Sequence, residues 1–240
     1  MTFKTFLIGM FASFGLAWTC IIAIPVASTD ARPPVKMNDD EDAAYYQHGV
    51  AGRKLNGGEI YKANGCYTCH TQLVRPTYAG SEIHREGIAG VKNDDGDTRR
   101  ETSYADFTGE DFAQIGLMRM GPDLSNFAYR AEAYGSKVGM TAEAWIFEHL
   151  YNPRNNEIRL GKHGEKLDMS WSNCPSQKQM FETVDAVGQD GVFALTADAG
   201  EGRVIRPKQD ARVLASYLLS FKRDDKMPKS LDYSGKDEEE

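Results

Sequence analysis

Cysteine and positive charge are both scarce in this chain of 240 residues. Its four cysteines are too few for the disulfide framework of a small secreted protein, which needs more of them in a shorter chain. Lysine and arginine together number 28 against 35 acidic residues, for a formal net charge of -7. This acidic balance excludes the basic surface that binds nucleic acid, so we expect no nucleic-acid partner.

Long apolar runs are also missing, with one exception at the N-terminus. The stretch from Thr5 to Thr29 contains no charged residue, and about 20 apolar residues are enough to cross a bilayer. We therefore predict a transmembrane anchor over residues 1–29 and a linker over residues 30–55. Lys4 before the span and acidic residues after it place the N-terminus in the cytoplasm. A cleaved signal ending at Ala27-Ser28 stays open as the alternative.

Two of the four cysteines stand directly before a histidine. Cys66, Cys69 and His70 form Cys-x-x-Cys-His, the attachment pattern of c-type haem. One helical turn places both thiols to form thioethers with the two vinyl groups, and the adjacent His70 presents its imidazole to the iron. A zinc site would need a second pair of ligands, and a redox dithiol would need a thioredoxin-like fold around it. The sequence supplies neither. We predict one covalently bound haem c on these three residues.

Helical patterns lie on both sides of this motif. A first helix is predicted to begin at Gly57-Gly58 and to lead into the motif. The apolar positions of residues 210–221 recur at intervals of three and four, as in an amphipathic helix, and Tyr61 and Tyr217 are candidates for the contact between the two helices. Another helix is predicted after the N-cap residue Thr141.

Several remaining features are interpreted as structural. The histidines without a partner at metal-site spacing are taken as surface or core residues: His48, His84, His149 and His163. Met118 and Met120 are taken as packing residues. Residues 182–204 are predicted to form an irregular insertion that covers the haem or contacts a partner.

The sequence around the haem motif resembles one protein family. Residues 66–76 read Cys-Tyr-Thr-Cys-His-Thr-Gln-Leu-Val-Arg-Pro, which resembles the membrane-anchored monohaem subunit II of cbb3-type cytochrome c oxidases. That family carries Gly-Cys-Tyr-x-Cys-His-[Ser/Thr]-Gln-x-[Ile/Val]-Arg-Pro. Three later stretches, residues 104–112, 121–124 and 149–154, follow in the family's order. The resemblance covers roughly residues 1–154 and the last helix.

The resemblance implies a fold and a location. The fold is mostly α, a cytochrome c-like single-haem domain with long loop insertions over residues 56–224, on one N-terminal transmembrane helix and with an acidic tail over residues 225–240. The location is a bacterial inner membrane, with lipid around the anchor and the haem domain on the periplasmic face.

The resemblance also implies an electron relay. Electrons would come from a further cytochrome c subunit or a soluble cytochrome donor and pass to the haem-copper catalytic subunit, so the chain would not be catalytic alone. Two alternatives stay open: an anchored monohaem cytochrome of another terminal reductase, such as a nitric oxide reductase, and a haem-based redox sensor or an extracytoplasmic thiol or metal-binding module.

Further residue roles follow from the family pattern. Gln72, Arg75 and Pro76 would shape the haem edge or contact its propionates; a capped helix end, with the proline forcing the chain away, is the alternative. The Pro122 carbonyl would accept the ring N–H of His70 and orient this ligand, unless the segment is a plain turn.

The sixth iron ligand is where the sequence departs from the family. Family members supply a methionine from Ser-x-Met-Pro, and the matching letters here are Ser172-Asn173-Cys174-Pro175. Met169 precedes this stretch, and a thioether favours the reduced haem whereas a thiolate lowers the potential strongly. We therefore expect Met169 to be the second iron ligand, with Met180, Cys174, His163 and a position without a protein ligand left as alternatives.

Overall fold

Helices dominate the structure, a computed structural model of mixed but mostly helical character with 44% helix. The expectation of a mostly α fold is confirmed as far as the share of helix is concerned. His48, His163 and most of the predicted tail lie outside the described residues. The structure describes residues 2–30, 35–46, 51–107, 110, 112–154, 168–188, 193–228 and 231.

The first of two compact units comprises residues 1–46 and 227–240, and it contains the long apolar helix predicted at the N-terminus. Its apolar span runs from Phe3 to Ser28 and contains an 18-residue window with a mean hydropathy of 2.1, which is consistent with a single-pass anchor or a signal sequence. A wider π turn interrupts it just before Pro25. Because proline has no N–H to donate and crowds the preceding turn, the wider turn accommodates it without ending the helix. The parts are α1 (Phe3–Trp18), the π turn (Thr19–Ala23) and α2 (Ile24–Asp30).

The second unit comprises residues 47–226 and contains the remaining helices and four short strands. The helices are α3 (Gly52–Ala63), α4 (Cys66–Cys69), α5 (Phe127–Val138), α6 (Ala142–Tyr151) and α7 (Gln209–Leu218). Single 3-10 turns occupy Glu82–His84, Tyr104–Phe107 and Lys178–Met180. The strands form two antiparallel pairs, β1 (Lys92–Asn93) with β2 (Gly96–Asp97) and β3 (Phe181–Asp185) with β4 (Arg203–Pro207).

Helices α3 and α7 pack closely against each other, as the sequence predicts. The rings of Tyr61 and Tyr217 lie 5.8 Å apart between centroids. The predicted start of α3 is wrong, because the helix begins at Gly52, within the range expected to be linker. Gly57 therefore lies inside the helix, where glycine costs roughly 0.5–1 kcal/mol. A Cβ at this position would overlap the Cβ of Tyr217 and lie 2.9 Å from the Val213 carbonyl, so glycine allows the two backbones to approach.

The core of this unit forms where α5, α6 and α7 meet. The Thr141 side chain caps α6 by accepting a hydrogen bond from the Ala144 N–H at 3.1 Å, which confirms the predicted N-cap. Trp145 then packs its ring 4.9 Å from that of Tyr134. Leu214 of α7 is buried in the same apolar cluster.

The segment expected to be an irregular insertion is framed by regular structure. Strands β3 and β4 pair at its two ends, with Thr183 opposite Ile205. Between them, the backbone N–H of Leu195 donates to the Ile205 carbonyl at 2.9 Å, and the Phe193 ring packs edge-on against Phe147 of α6 at 6.2 Å. The described part of this segment therefore belongs to the core of the unit, and the prediction of an irregular segment is wrong at its ends.

Candidate functional site

Helix α4 is a single turn that carries both motif cysteines. It follows Gly65, whose positive φ of 69° lets the chain turn sharply after α3. Cys66 and Cys69 are both free thiols, and their separation of three residues places them on one side of the turn. Burial raises the pKa of Cys66 to about 12, whereas a reactive redox dithiol requires a lowered pKa. The Cys66 thiol is therefore protonated at neutral pH and lies with Cys69 on one side of the same helical turn.

His70 follows this turn in extended backbone, and its ring is held by a carbonyl. Nδ1 lies 2.9 Å from the Pro122 carbonyl oxygen. A carbonyl only accepts, so Nδ1 carries the hydrogen in this bond and Nε2 keeps its lone pair available for a metal. Burial also lowers the pKa of His70, which favours the neutral, ligating form. The contact expected between His70 and Pro122 is present.

Two glycines let the backbone approach His70 closely. A Cβ at Gly121 would overlap the imidazole ring, and a Cβ at Gly116 would lie 2.6 Å from the His70 carbonyl oxygen. No side chain fits at either position without displacing His70. The sequence shows Gly121 in its Gly-Pro-Asp-Leu stretch, but nothing in it indicates a role for Gly116.

Backbone hydrogen bonds join residues 114–124 to the haem motif and the residues after it. The N–H groups of Gly121 and Leu124 donate to the carbonyls of Cys69 and Thr71 at 3.0 and 2.8 Å. In the other direction, the Gln72 N–H donates to the Gln114 carbonyl at 3.1 Å. The position of His70 is therefore defined by backbone on two sides.

The turn that holds His70 is itself fixed by charged side chains. The Asp123 carboxylate accepts from the N–H groups of Leu73 and Ser125 at 2.8 and 2.7 Å. The guanidinium of Arg130 donates to the Asp123 carbonyl and to the Gly87 carbonyl. Burial lowers the pKa of Arg130 to about 10, so it stays charged at neutral pH. The Pro122 carbonyl thus accepts from His70, and the next carbonyl along the chain, that of Asp123, accepts from Arg130.

Gln72 lies in the core and not at an exposed edge. Its side chain is fully buried, its Nε2 donates to the Tyr217 hydroxyl at 3.2 Å, and its Oε1 accepts from Arg223 at 3.2 Å. Both polar ends of Gln72 are thus occupied by protein groups. The residue links the end of the haem motif to α7, a role that the sequence does not indicate.

Arg75 pairs with a protein carboxylate. Its Nε donates to Glu82 Oε1 at 2.7 Å, and Arg119 Nη1 donates to the same oxygen at 3.2 Å. The other oxygen of Glu82 is buried without a hydrogen-bond partner in the described structure. Pro76 opens a turn, since its carbonyl accepts a hydrogen bond from the Ala79 N–H at 2.8 Å. This turn agrees with the alternative interpretation, in which the proline directs the chain away from the helix. A contact of Arg75 with haem propionates stays a prediction.

The candidate sixth ligands differ in their surroundings. Met169 and Met180 are both buried in the apolar core. Cys174 is half-buried, and burial together with the nearby Cys69 raises its pKa to about 11. The choice between Met169 and the others therefore stays a prediction, while the nearness of Cys174 to the attachment cysteines is a feature that the sequence does not reveal.

His149 is a second histidine close to His70. Its ring stacks on Trp145 at a centroid distance of 5.3 Å and an angle of 18°. Burial, with a smaller effect of His70, lowers its pKa to about 4. His149 is thus half-buried and neutral at neutral pH, whereas His84 is exposed.

Met118 and Met120 contradict their prediction as packing residues. Both side chains are exposed, because the 114–124 segment contacts the haem motif through its backbone and turns these side chains away.

Within the described residues, no group of three or more His, Cys, Asp or Glu side chains is placed to hold a metal ion.

The arrangement of α4, His70 and residues 114–124 fits a covalently bound haem. Two thiols lie on one turn, an oriented neutral imidazole follows them, and glycine backbone packs against the ring. No protein-family model matches the chain, and no curated protein matches it. The likeness to the cbb3 oxidase subunit therefore rests on residues 66–76 and the three later stretches.

Proposed function

We propose that this chain is an electron-transfer subunit with one haem c, bound through Cys66 and Cys69 and ligated by His70. The observation that carries the proposal is the hydrogen bond from His70 Nδ1 to the Pro122 carbonyl at 2.9 Å. It leaves Nε2 as the free nitrogen, next to two thiols on one helical turn. The haem would supply one-electron redox chemistry.

The residues of the chain have positioning roles in this proposal. Pro122 and Gly121 orient the His70 ring, and Arg130 and Asp123 hold the turn that contains them. Met169 would be the sixth ligand, consistent with its burial in the core. Electron transfer needs no acid, base or nucleophile, so the function requires only this fixed geometry and a docking surface.

The proposed partners follow from the family resemblance. The electron acceptor would be the haem-copper catalytic subunit of a cbb3-type oxidase, and the donor a further cytochrome c subunit or a soluble cytochrome. The apolar helix Phe3–Ser28 would anchor the chain in a bacterial inner membrane, with the second unit on the periplasmic face. The raised pKa of Cys66 speaks against the alternative of a thiol module.

Covalent haem attachment is the first test. The full chain is isolated from membranes, and haem is detected on a denaturing gel together with the α band of the reduced absorbance spectrum. We expect both signals in the wild type and a loss of the gel signal of at least tenfold in the Cys66→Ala/Cys69→Ala double variant. Cys174→Ala is the matched control and keeps the gel signal. A wild-type chain without gel-retained haem would contradict the proposal.

The partner is tested on the solubilised complex. Oxygen consumption with a reduced donor is compared with nitric oxide consumption by the same preparation. We expect oxygen to be the substrate of the associated catalytic subunit. Consumption of nitric oxide alone would assign the chain to the nitric oxide reductase alternative and leave the haem proposal intact.

A further inference from the structure

One carboxylate connects the chain that follows the haem motif to the segment that holds the His70 ring. Glu82 Oε1 accepts from Arg75 Nε at 2.7 Å and from Arg119 Nη1 at 3.2 Å. Arg75 belongs to the chain that leaves His70, and Arg119 belongs to residues 114–124. The carboxylate of Glu82 therefore joins, through side chains, two segments that backbone hydrogen bonds also bring together.

The burial of Glu82 distinguishes this contact from a surface ion pair. Its side chain is 7% exposed, against 36% for Arg75 and 29% for Arg119. Burial raises the pKa of Glu82, but the hydrogen bond from Arg75 and the charges of both arginines bring this pKa below its ordinary value. Exposed ion pairs contribute little to stability, whereas a buried charge that loses its partner is strongly unfavourable. Glu82 is thus an ionised, buried group that depends on its arginines.

The backbone of Arg119 is held in a strained conformation. Its φ of 49° is the only positive value among the described residues other than glycine. A side chain of this kind adopts such a conformation only where the surrounding contacts impose it. On either side of it, the N–H groups of Met118 and Gly121 donate to the carbonyls of Thr68 and Cys69, both at 3.0 Å. The strained residue therefore lies between two bonds that attach its segment to the haem motif.

The direction of the chain after residue 119 determines what meets the His70 ring. The Gly121 backbone packs directly against the imidazole, and the Pro122 carbonyl accepts from His70 Nδ1 at 2.9 Å. With an ordinary negative φ at residue 119, the chain would leave in another direction and both contacts would be lost. The ion pair between Arg119 and Glu82 supplies an interaction that offsets the strain.

We propose that Glu82 and Arg119 are positioning residues for the haem ligand His70, and that their ion pair stabilises the backbone conformation that brings the Pro122 carbonyl to the imidazole. The inference rests on the proposed function, in which His70 ligates the haem iron. Both residues act on His70 through the backbone of residues 119–122. Arg75 fixes the shared carboxylate relative to the haem motif.

The first test separates the strain at residue 119 from the charge of its side chain. Arg119→Ala and Arg119→Gly remove the same guanidinium, but only glycine adopts a positive φ readily. Amide hydrogen exchange of residues 114–124, measured by mass spectrometry on the full chain in detergent, reports how often this segment opens. We expect exchange at least fivefold faster than in the wild type for Arg119→Ala, and within twofold of the wild type for Arg119→Gly. Equal exchange in the two variants would overturn the inference.

The second test removes the carboxylate. Glu82→Gln keeps the size of the side chain but not its charge. We expect it to accelerate the exchange of residues 114–124 at least fivefold and to alter the low-spin haem spectrum, because Arg119 loses its partner. Adding Arg119→Gly should restore the spectrum and bring exchange to within twofold of the wild type, since glycine needs no ion pair to keep a positive φ. A double variant that stays as altered as Glu82→Gln would contradict an action through residue 119.

Asp224→Asn is the matched control for the loss of a buried carboxylate. Asp224 is 4% exposed and also connects two segments, since it accepts from Thr98 and from the Tyr129 hydroxyl. This variant should keep the wild-type spectrum and the wild-type exchange of residues 114–124. Changes as large as those of Glu82→Gln would assign the effect to a general loss of stability and overturn the inference. A wild-type chain without covalent haem would instead remove the proposed function, while the exchange rates still test the pairing of Glu82 with Arg119.

Discussion

The two segments that contain the candidate iron ligands are held in different ways. Residues 66–73 are joined to residues 114–124 by backbone hydrogen bonds on both sides of His70. Residues 168–177 contain a local turn, in which the Ser172 N–H donates to the Met169 carbonyl at 2.9 Å. They are hydrogen-bonded to α6 at their end, where the Ser176 hydroxyl donates to the Tyr151 carbonyl and the Gln177 N–H to the Leu150 carbonyl. Backbone hydrogen bonds therefore fix the position of His70, whereas the position of Met169 depends on the burial of its side chain.

The largest expected effect is the loss of stability when Met169 or Met180 is truncated, and the haem spectrum distinguishes the two residues. Met169→Ala and Met180→Ala each remove a buried side chain, so each should lower the free energy of unfolding by about 2–5 kcal/mol in denaturant titrations. Only Met169→Ala should also abolish the methionine-to-iron absorbance band of the oxidised protein. If the band survives in Met169→Ala and disappears in Met180→Ala, the ligand assignment is wrong.

The next prediction concerns the backbone around His70. Gly121→Ala should lower the free energy of unfolding by about 1–3 kcal/mol and alter the low-spin haem spectrum, because the new Cβ overlaps the imidazole. Pro122→Ala is the control. It keeps the carbonyl that accepts from His70, so the spectrum should stay that of the wild type. Equal spectral changes in both variants would mean that the overlap of a Cβ at position 121 with the imidazole is not the cause.

A matched glycine pair tests the packing beneath the first segment. In Gly57→Ala, the added methyl group overlaps Tyr217, and thermal or denaturant unfolding should show a loss of about 1–3 kcal/mol. Gly58→Ala meets nothing closer than 3.6 Å and should gain up to about 1 kcal/mol of helix propensity. Two variants of equal stability would show that α3 and α7 are not held in this close contact.

The last prediction concerns a pH dependence that comes from His149, small at any one pH near neutrality. Its pKa in the folded state, about 4, lies below its ordinary value of about 6.5, so the unfolded chain takes up the proton first as the pH falls. Stability is thus complete above about pH 6.5 and declines towards pH 4, by roughly 1 kcal/mol for each pH unit. His149→Gln should flatten this slope in unfolding experiments between pH 4.5 and 7. Identical slopes for variant and wild type would contradict the prediction.

The parts of the fold that were predictable from sequence are those with a local signal. Helix α7 shows its apolar period, α6 shows its cap at Thr141, and the haem motif is contiguous. The start of α3 was missed because Gly57-Gly58 was interpreted as the beginning of the helix. The reason for Gly57 is instead its contact with Tyr217, some 160 residues later in the chain.

Long-range backbone contacts explain the misses in the candidate site. The pairing of residues 114–124 with the haem motif uses N–H and C=O groups that every residue has, so no side-chain pattern indicates it. The same pairing exposes Met118 and Met120, which read as core residues in isolation. The sequence also does not indicate the buried position of Gln72, where both polar ends of the side chain are engaged by residues at the far end of the chain.

The length of the N-terminal helix sets a condition on any membrane that contains it. Its 26 residues extend about 39 Å at a rise of 1.5 Å per residue, against a hydrocarbon thickness of about 30 Å. Keeping the whole helix within hydrocarbon would require a tilt of about 40°, at the upper end of the range for membrane helices. A less tilted helix places one of its ends, the turn at Lys4 or the turn at Val26, among the lipid headgroups. In a membrane, hydrophobic mismatch thus relates the tilt of this helix to the depth at which the chain leaves the hydrocarbon.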